Sequence, residues 1–144
     1  MTATAGWEMI ESGVHDAQRT VLLLPGGWCT AVFYAELMAE PALAVTRVVA
    51  ATLPGNGGTA APADVSVENY ARMTADLARD LECDVVVGHS MGANVALEMA
   101  GSGVFCGPVV LLAPCFSRQD EALVIRILDR LAGVLGGWCR TASF

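Results

Sequence analysis

Four short, nearly apolar runs separated by helical segments constrain this 144-residue chain more than any other feature. Residues 20–24 end at Pro25-Gly26-Gly27, residues 45–50 run into Pro54-Gly55-Asn56-Gly57-Gly58, and residues 84–87 and 108–112 follow. Runs this short and this apolar read as strands buried on both faces. The segments between them have helical spacing. Residues 29–38 place Val32 and Leu37 at loose helical intervals before Pro41 closes the segment. Ser66 is placed to N-cap the next helix, with Glu68 near the positive end of its dipole and Val67, Tyr70, Thr74, Leu77 and Leu81 forming a buried stripe. Residues 91–100 put Met91, Val95 and Met99 on one face. Strands alternating with helices over short connections predict one α/β domain, a mostly parallel sheet with helices on both faces.

Ser117, with Asp120 three residues on, opens a last helical segment whose apolar face includes Leu123, Ile127, Leu128, Leu131 and Leu135. It stops at Gly136-Gly137, and residues 138–144 show no periodicity. An apolar content of 54% supports a substantial core, while a formal charge of −7 and the lack of a basic cluster argue against nucleic acid or an anionic membrane as partner. A small neutral molecule is the expected ligand. The opening residues lack a basic start and an apolar stretch, so the mature chain is expected to begin at Met1, in the cytoplasm. Polar residues and breakers interrupt the most apolar stretch, 85–116, so no membrane span is expected. The five cysteines, Cys29, Cys83, Cys106, Cys115 and Cys139, contain no Cys-x-x-Cys pair and read as reduced, mostly buried thiols rather than metal ligands.

Chemistry concentrates at Gly88-His89-Ser90-Met91-Gly92, a Gly-x-Ser-x-Gly pattern between a predicted strand and a predicted helix. A sharp turn there lifts the Ser90 hydroxyl clear, and Gly88 and Gly92 let strand and helix approach without Cβ clashes. The Met91 amide, in the first helical turn, faces the place where an oxyanion would form. Pro25-Gly26-Gly27-Trp28 can supply a second amide, from Gly27 or from its neighbour Trp28.

With Leu53-Pro54-Gly55-Asn56-Gly57 between them, these motifs resemble, in order, the N-terminal half of the α/β-hydrolase family over about residues 20–113. The loop at Pro25 departs from the family's usual His-Gly start, a change that leaves backbone amides untouched. The resemblance implies a partial α/β-hydrolase fold truncated after the strand that follows the nucleophile helix, with residues 117–144 as the start of a lid or an aberrant tail. It implies a serine hydrolase that attacks a carboxylic ester or similar acyl substrate through Ser90 without a cofactor. Thioester, lactone, haloperoxidase-like and acyl-transfer chemistry stay open. Family order places an acid and then a histidine after the serine. Asp120 is a weak candidate acid, but no histidine follows Ser90, His89 should point away from the serine hydroxyl, and His15 reads as a surface residue. The isolated chain is therefore expected to be nearly inactive. The alternative is a non-catalytic fragment that forms a homodimer, or binds a complementing chain, through the open sheet edge at residues 108–112.

Overall fold

The computed structural model describes residues 6–115. It contains five strands, β1 (Glu8–Ser12), β2 (Thr20–Leu24), β3 (Arg47–Thr52), β4 (Val85–His89) and β5 (Val109–Leu112). A 3₁₀ turn over Ala31–Tyr34 runs into the one-turn helix α1 (Ala35–Met38), and α2 (Val67–Asp80) and α3 (Met91–Gly101) complete the elements. The strands form one sheet in the order β1-β3-β2-β4-β5. β2, β3, β4 and β5 pair in parallel, and β1 runs antiparallel to β3. The chain moves from β2 to β3 on one side and then returns to β4 on the other. The loops after β2 and β4 therefore diverge, which opens a crevice at the carboxyl ends of the central strands.

Alternation along the central strands divides the core into two layers. Leu22, Leu24, Val49, Ala51 and Val86 point to one face and pack with Tyr70, Ala71, Leu77 and Ala78 of α2 and Val95, Ala96 and Met99 of α3. Leu23, Val48 and Ala50 point to the other and meet Ala31, Tyr34 and Met38. Helices thus cover both faces, as the apolar strands require. Ser66 caps α2 as expected, its Oγ accepting from the Asn69 amide at 3.3 Å.

The structure corrects several local expectations. β1 has no counterpart in the sequence reading, because Glu8 and Glu11, three residues apart, break any period-two pattern, and the segment gains a strand conformation by pairing with β3. There Arg47 donates to Glu11 at 2.8 Å, and this bond holds the Glu11 carboxyl below its ordinary range. Val32 and Leu37, expected on the buried face of their helix, are 58% and 43% exposed; the tighter 3₁₀ winding turns Ala31, Tyr34 and Met38 inward instead. Pro41 begins a further 3₁₀ turn, Pro41–Leu43. β3 starts two residues later than the run at 45–50, leaving Val45 exposed. Cys29 and Cys83 are half-buried and Cys106 and Cys115 exposed, so the thiols are less buried than expected, and all four are free. The helix expected after Ser117 and the tail lie outside the described residues. No helix among the described residues is long and apolar enough to cross a membrane.

Leu77 is fully buried at the α2–sheet interface, whereas Leu97 on α3 is 40% exposed. Leu77→Ala should lower unfolding free energy by about 2–5 kcal/mol and Leu97→Ala by under about 1 kcal/mol. Urea unfolding followed by circular dichroism checks both.

Candidate active site

Strand β4 ends at His89, and the chain reverses at Ser90, which has φ 52° and ψ −116°. A non-glycine residue at positive φ stores roughly 1–3 kcal/mol of strain. Three hydrogen bonds hold it there. The Ser90 amide donates to the Leu112 carbonyl at the end of β5 (2.9 Å), and the Ser90 carbonyl accepts from the amides of Ala93 (2.9 Å) and Asn94 (3.1 Å). The turn also needs space that only glycine leaves. A methyl group on Gly88 would overlap the Gly92 carbonyl, and one on Gly92 would overlap the Leu24 carbonyl.

Two serines occupy helix N-caps here and behave differently. Ser66, at φ −64°, spends its hydroxyl on the Asn69 amide. Ser90 makes no side-chain cap bond. Its backbone geometry withholds the hydroxyl from the helix. The first amides of α3 have no intrahelical acceptor, and no acidic side chain sits in the first turn, so the positive end of the dipole is not neutralised locally.

The loop after β2 passes directly beside this turn. A Cβ on Gly26 would lie 3.3 Å from the Ser90 Cβ, and one on Gly27 would lie 3.7 Å from the Met91 Sδ. The structure therefore brings Gly26 and Gly27 to the elbow residues Gly88, His89, Ser90, Met91 and Gly92. The two candidate amides of this loop differ. Trp28, at φ 61°, donates its amide to Asn56 Oδ1 at 2.6 Å, so that amide is already engaged. No hydrogen bond among the described residues engages the Gly27 amide. With its amide engaged in this way, Trp28 does not present a free N–H to the turn at Ser90.

His89 turns its ring onto Phe33, with centroids 5.2 Å apart and planes 19° from parallel. Its Nδ1 is buried beside Gly26 and has no hydrogen-bond partner among the described residues. His15 is exposed, and its Nδ1 lies 3.2 Å from Oδ1 of its neighbour Asp16. Asp120 lies outside the described residues. No group of three or more metal-ligating side chains occurs among the described residues.

Sequence reasoning missed the residues that support the site from behind. Tyr34 donates to the Leu24 carbonyl at 3.0 Å, and burial pushes its phenol up to about 12, so it stays a neutral donor. Tyr70 donates to the Pro54 carbonyl at 2.7 Å, tying α2 to the loop after β3. Thr52, fully buried, accepts from the Ala31 amide at 2.8 Å. Tyr70 was visible only as one position of an apolar stripe, and nothing local marks Thr52 or Asn56 as partners of the loop after β2.

Comparison with known proteins identifies the fold. A model described as the alpha/beta hydrolase family matches residues 21–142. No curated protein matches the chain. Among solved structures, a lipase-esterase related protein from Clostridium acetobutylicum is 21% identical with a TM-score of 0.68, over 92% of this chain and 60% of its own. The thioesterase domain from the curacin biosynthetic pathway is 21% identical with a TM-score of 0.66, over 95% of this chain and 51% of its own. An N-acyl homoserine lactonase is 22% identical with a TM-score of 0.64, over 75% of this chain and 41% of its own. At these identities the likeness shows the fold, and the chain spans between 41% and 60% of the length of these three proteins.

Because backbone atoms crowd both elbow glycines, Gly88→Ala and Gly92→Ala should each cost about 1–3 kcal/mol or more. Gly101, at the end of α3, has nothing within 4 Å of its missing Cβ. Gly101→Ala should instead be neutral or stabilising by up to about 1 kcal/mol. Thermal unfolding of the three variants beside the parent separates these outcomes.

Proposed function

The chain belongs to the alpha/beta hydrolase family, and from that premise we propose that Ser90 is the nucleophile of a hydrolase acting on small acyl substrates. The observation that carries this reading is a serine held at φ 52° on a helix N-terminus without capping it, beside a glycine loop with an open amide. In this reading Ser90 Oγ bonds to the acyl carbon and the carbonyl oxygen takes up negative charge. The amides of Gly27 and Met91 then donate to that oxyanion in a site preorganised for it. The alcohol or thiol leaves, and water later releases the acid. Solved neighbours are described as a lipase-esterase related protein, a thioesterase and a lactonase, names that speak of esters, thioesters and lactones, which supports an acyl substrate and leaves the leaving group open. Free thiols at Cys29, Cys83, Cys106 and Cys115 support a reducing, cytoplasmic setting.

The serine proton needs an acceptor. The sequence contains two histidines, one exposed at position 15 and one stacked on Phe33 at position 89, and neither follows Ser90. We therefore propose that the 144-residue chain alone turns over slowly, since loss of a triad member costs on the order of 10⁴–10⁶ in turnover. A second reading, self-association or a complementing chain that supplies the base, is favoured by β5. Its Val110 and Leu112 are 44% and 42% exposed, and no strand pairs with its outer edge among the described residues.

Incubating the chain with p-nitrophenyl acetate, with imidazole as an external base, tests Ser90 directly. Its Oγ should become acetylated, releasing p-nitrophenolate and passing its proton to imidazole. Peptide mass spectrometry should find the acetyl group on Ser90 in the parent and at no new site in Ser90→Ala. Equal labelling of both proteins, or labelling only at other residues, would refute the assignment. Without imidazole, p-nitrophenolate release by the parent should match that of Ser90→Ala. For the second reading, sedimentation of the chain should show dimers; a monomer at high concentration counts against self-association.

A further inference from the structure

We propose that Asn56 is a positioning residue for the oxyanion loop, fixing the Gly27–Trp28 peptide so that the Gly27 amide is presented to a substrate bound at Ser90. This rests on the Ser90 reading above. Asn56 Oδ1 accepts from the Trp28 amide at 2.6 Å. The carboxamide is itself pinned, because Nδ2 donates to the Leu53 carbonyl at 3.0 Å and the Asn56 amide donates to the same carbonyl at 3.1 Å. The Asn56 carbonyl accepts from the amide of Thr59 at 3.0 Å and from its hydroxyl at 2.7 Å. With Nδ2 committed to its own loop, Oδ1 is the end of the side chain that faces Trp28.

Two further contacts join the same pair of loops. Gly57, at φ 58°, sits so close to Thr30 that a methyl group on it would overlap the Thr30 Cγ2. Thr52 Oγ1 accepts from the Ala31 amide at 2.8 Å. The loop after β2 is thus tied to the end of β3 and its following loop at Trp28, Thr30 and Ala31. Gly27 lies next to the first of these ties, and its own amide is unengaged among the described residues.

Glycine constrains its own dihedral angles least, so the direction of the Gly27 amide depends on what holds the peptides around it. Trp28 is a bulky residue in the left-handed region, a conformation it leaves readily when nothing secures it. Two hydrogen bonds secure it, the turn bond from the Cys29 amide to the Gly26 carbonyl at 3.2 Å and the shorter one that the Trp28 amide donates to Asn56 Oδ1, which is the tie that comes from outside the loop. A donor fixed before the reaction stabilises developing charge without reorganising, which makes Asn56 matter for the acylation step rather than for substrate binding.

The test uses the full chain, with Asn56→Ala and Asn56→Asp beside the parent. Two quantities are read, amide hydrogen exchange at Trp28 by nuclear magnetic resonance and the imidazole-supported acetylation of Ser90 as a function of p-nitrophenyl acetate concentration. In Asn56→Ala, Trp28 exchange should accelerate by at least about tenfold and the acetylation rate fall by about 10- to 100-fold, with the half-saturating ester concentration unchanged. Asn56→Asp keeps an acceptor oxygen at the same reach but loses the Nδ2 bond to the Leu53 carbonyl, and should bring Trp28 exchange most of the way back from the Asn56→Ala rate toward the parent rate. If Asn56→Ala does not fold, Asn56→Ser, too short to reach Trp28, is read in its place with the same expectations. Unchanged Trp28 exchange overturns the proposal. So does faster exchange with an unaltered acetylation rate, which would leave Asn56 a purely structural tie while the Ser90 reading stands. A parent that never acetylates at Ser90 overturns the Ser90 reading, and the positioning role with it.

Discussion

The close approach of α3 to the ends of β2 and β4 is the constraint on which the rest of the structure depends. It requires the missing side chains of Gly88 and Gly92, because the neighbouring atoms are backbone carbonyls of Gly92 and Leu24 that cannot move aside as a side chain could. Once the helix is seated, Val95, Ala96 and Met99 are fully buried against the sheet. Burial of a Val or Met side chain contributes roughly 1.5–3 kcal/mol, enough for two of them to offset the roughly 1–3 kcal/mol of strain at Ser90. Packing of the helix body therefore maintains the strain at its N-cap, and the geometry of Ser90 is a by-product of the core.

That coupling explains which parts of the structure were legible in the sequence. The elbow was readable because its causes are local, with two glycines, a serine, a strand before it and a helix after it inside a dozen residues. The α2 stripe and its Ser66 cap were readable for the same reason. The central strands read clearly because burial on both faces leaves few polar positions. β1 did not, since its Glu8 and Glu11 read as loop until β3 supplies partners and Arg47 supplies a counter-charge. Val32 and Leu37 misled because helical spacing was taken where the chain winds as a 3₁₀ turn first, which rotates the buried face.

Legibility stopped at the site for a related reason. What distinguishes the Gly27 amide from the Trp28 amide is Asn56, 28 residues from Trp28 in sequence and brought close only because β2 and β3 are parallel neighbours. Asn56 occupies the variable position of its Pro-Gly-x-Gly loop, so motif matching passes over it. A parallel sheet places the loops after adjacent strands at the same end, and side chains at such loop tips can reach across. Contacts of this kind follow from topology, and a motif read along the chain cannot contain them.

Topology also divides the chemistry. Every group that would receive negative charge in the proposed reaction comes from the loops after β2 and β4, and the contacts that fix those groups come from β3, its following loop, and the end of β5. These lie within residues 6–115 and hold one another without contribution from a proton acceptor. Proton transfer is the separate half, because neither His15 nor His89 is placed to serve Ser90. The proposed oxyanion site would be rigid before any base arrives, since the amides assigned to it are held by backbone strain, glycine contacts and one carboxamide. A base supplied from elsewhere would then need only to reach the Ser90 hydroxyl, which the geometry of α3 already keeps free of the helix.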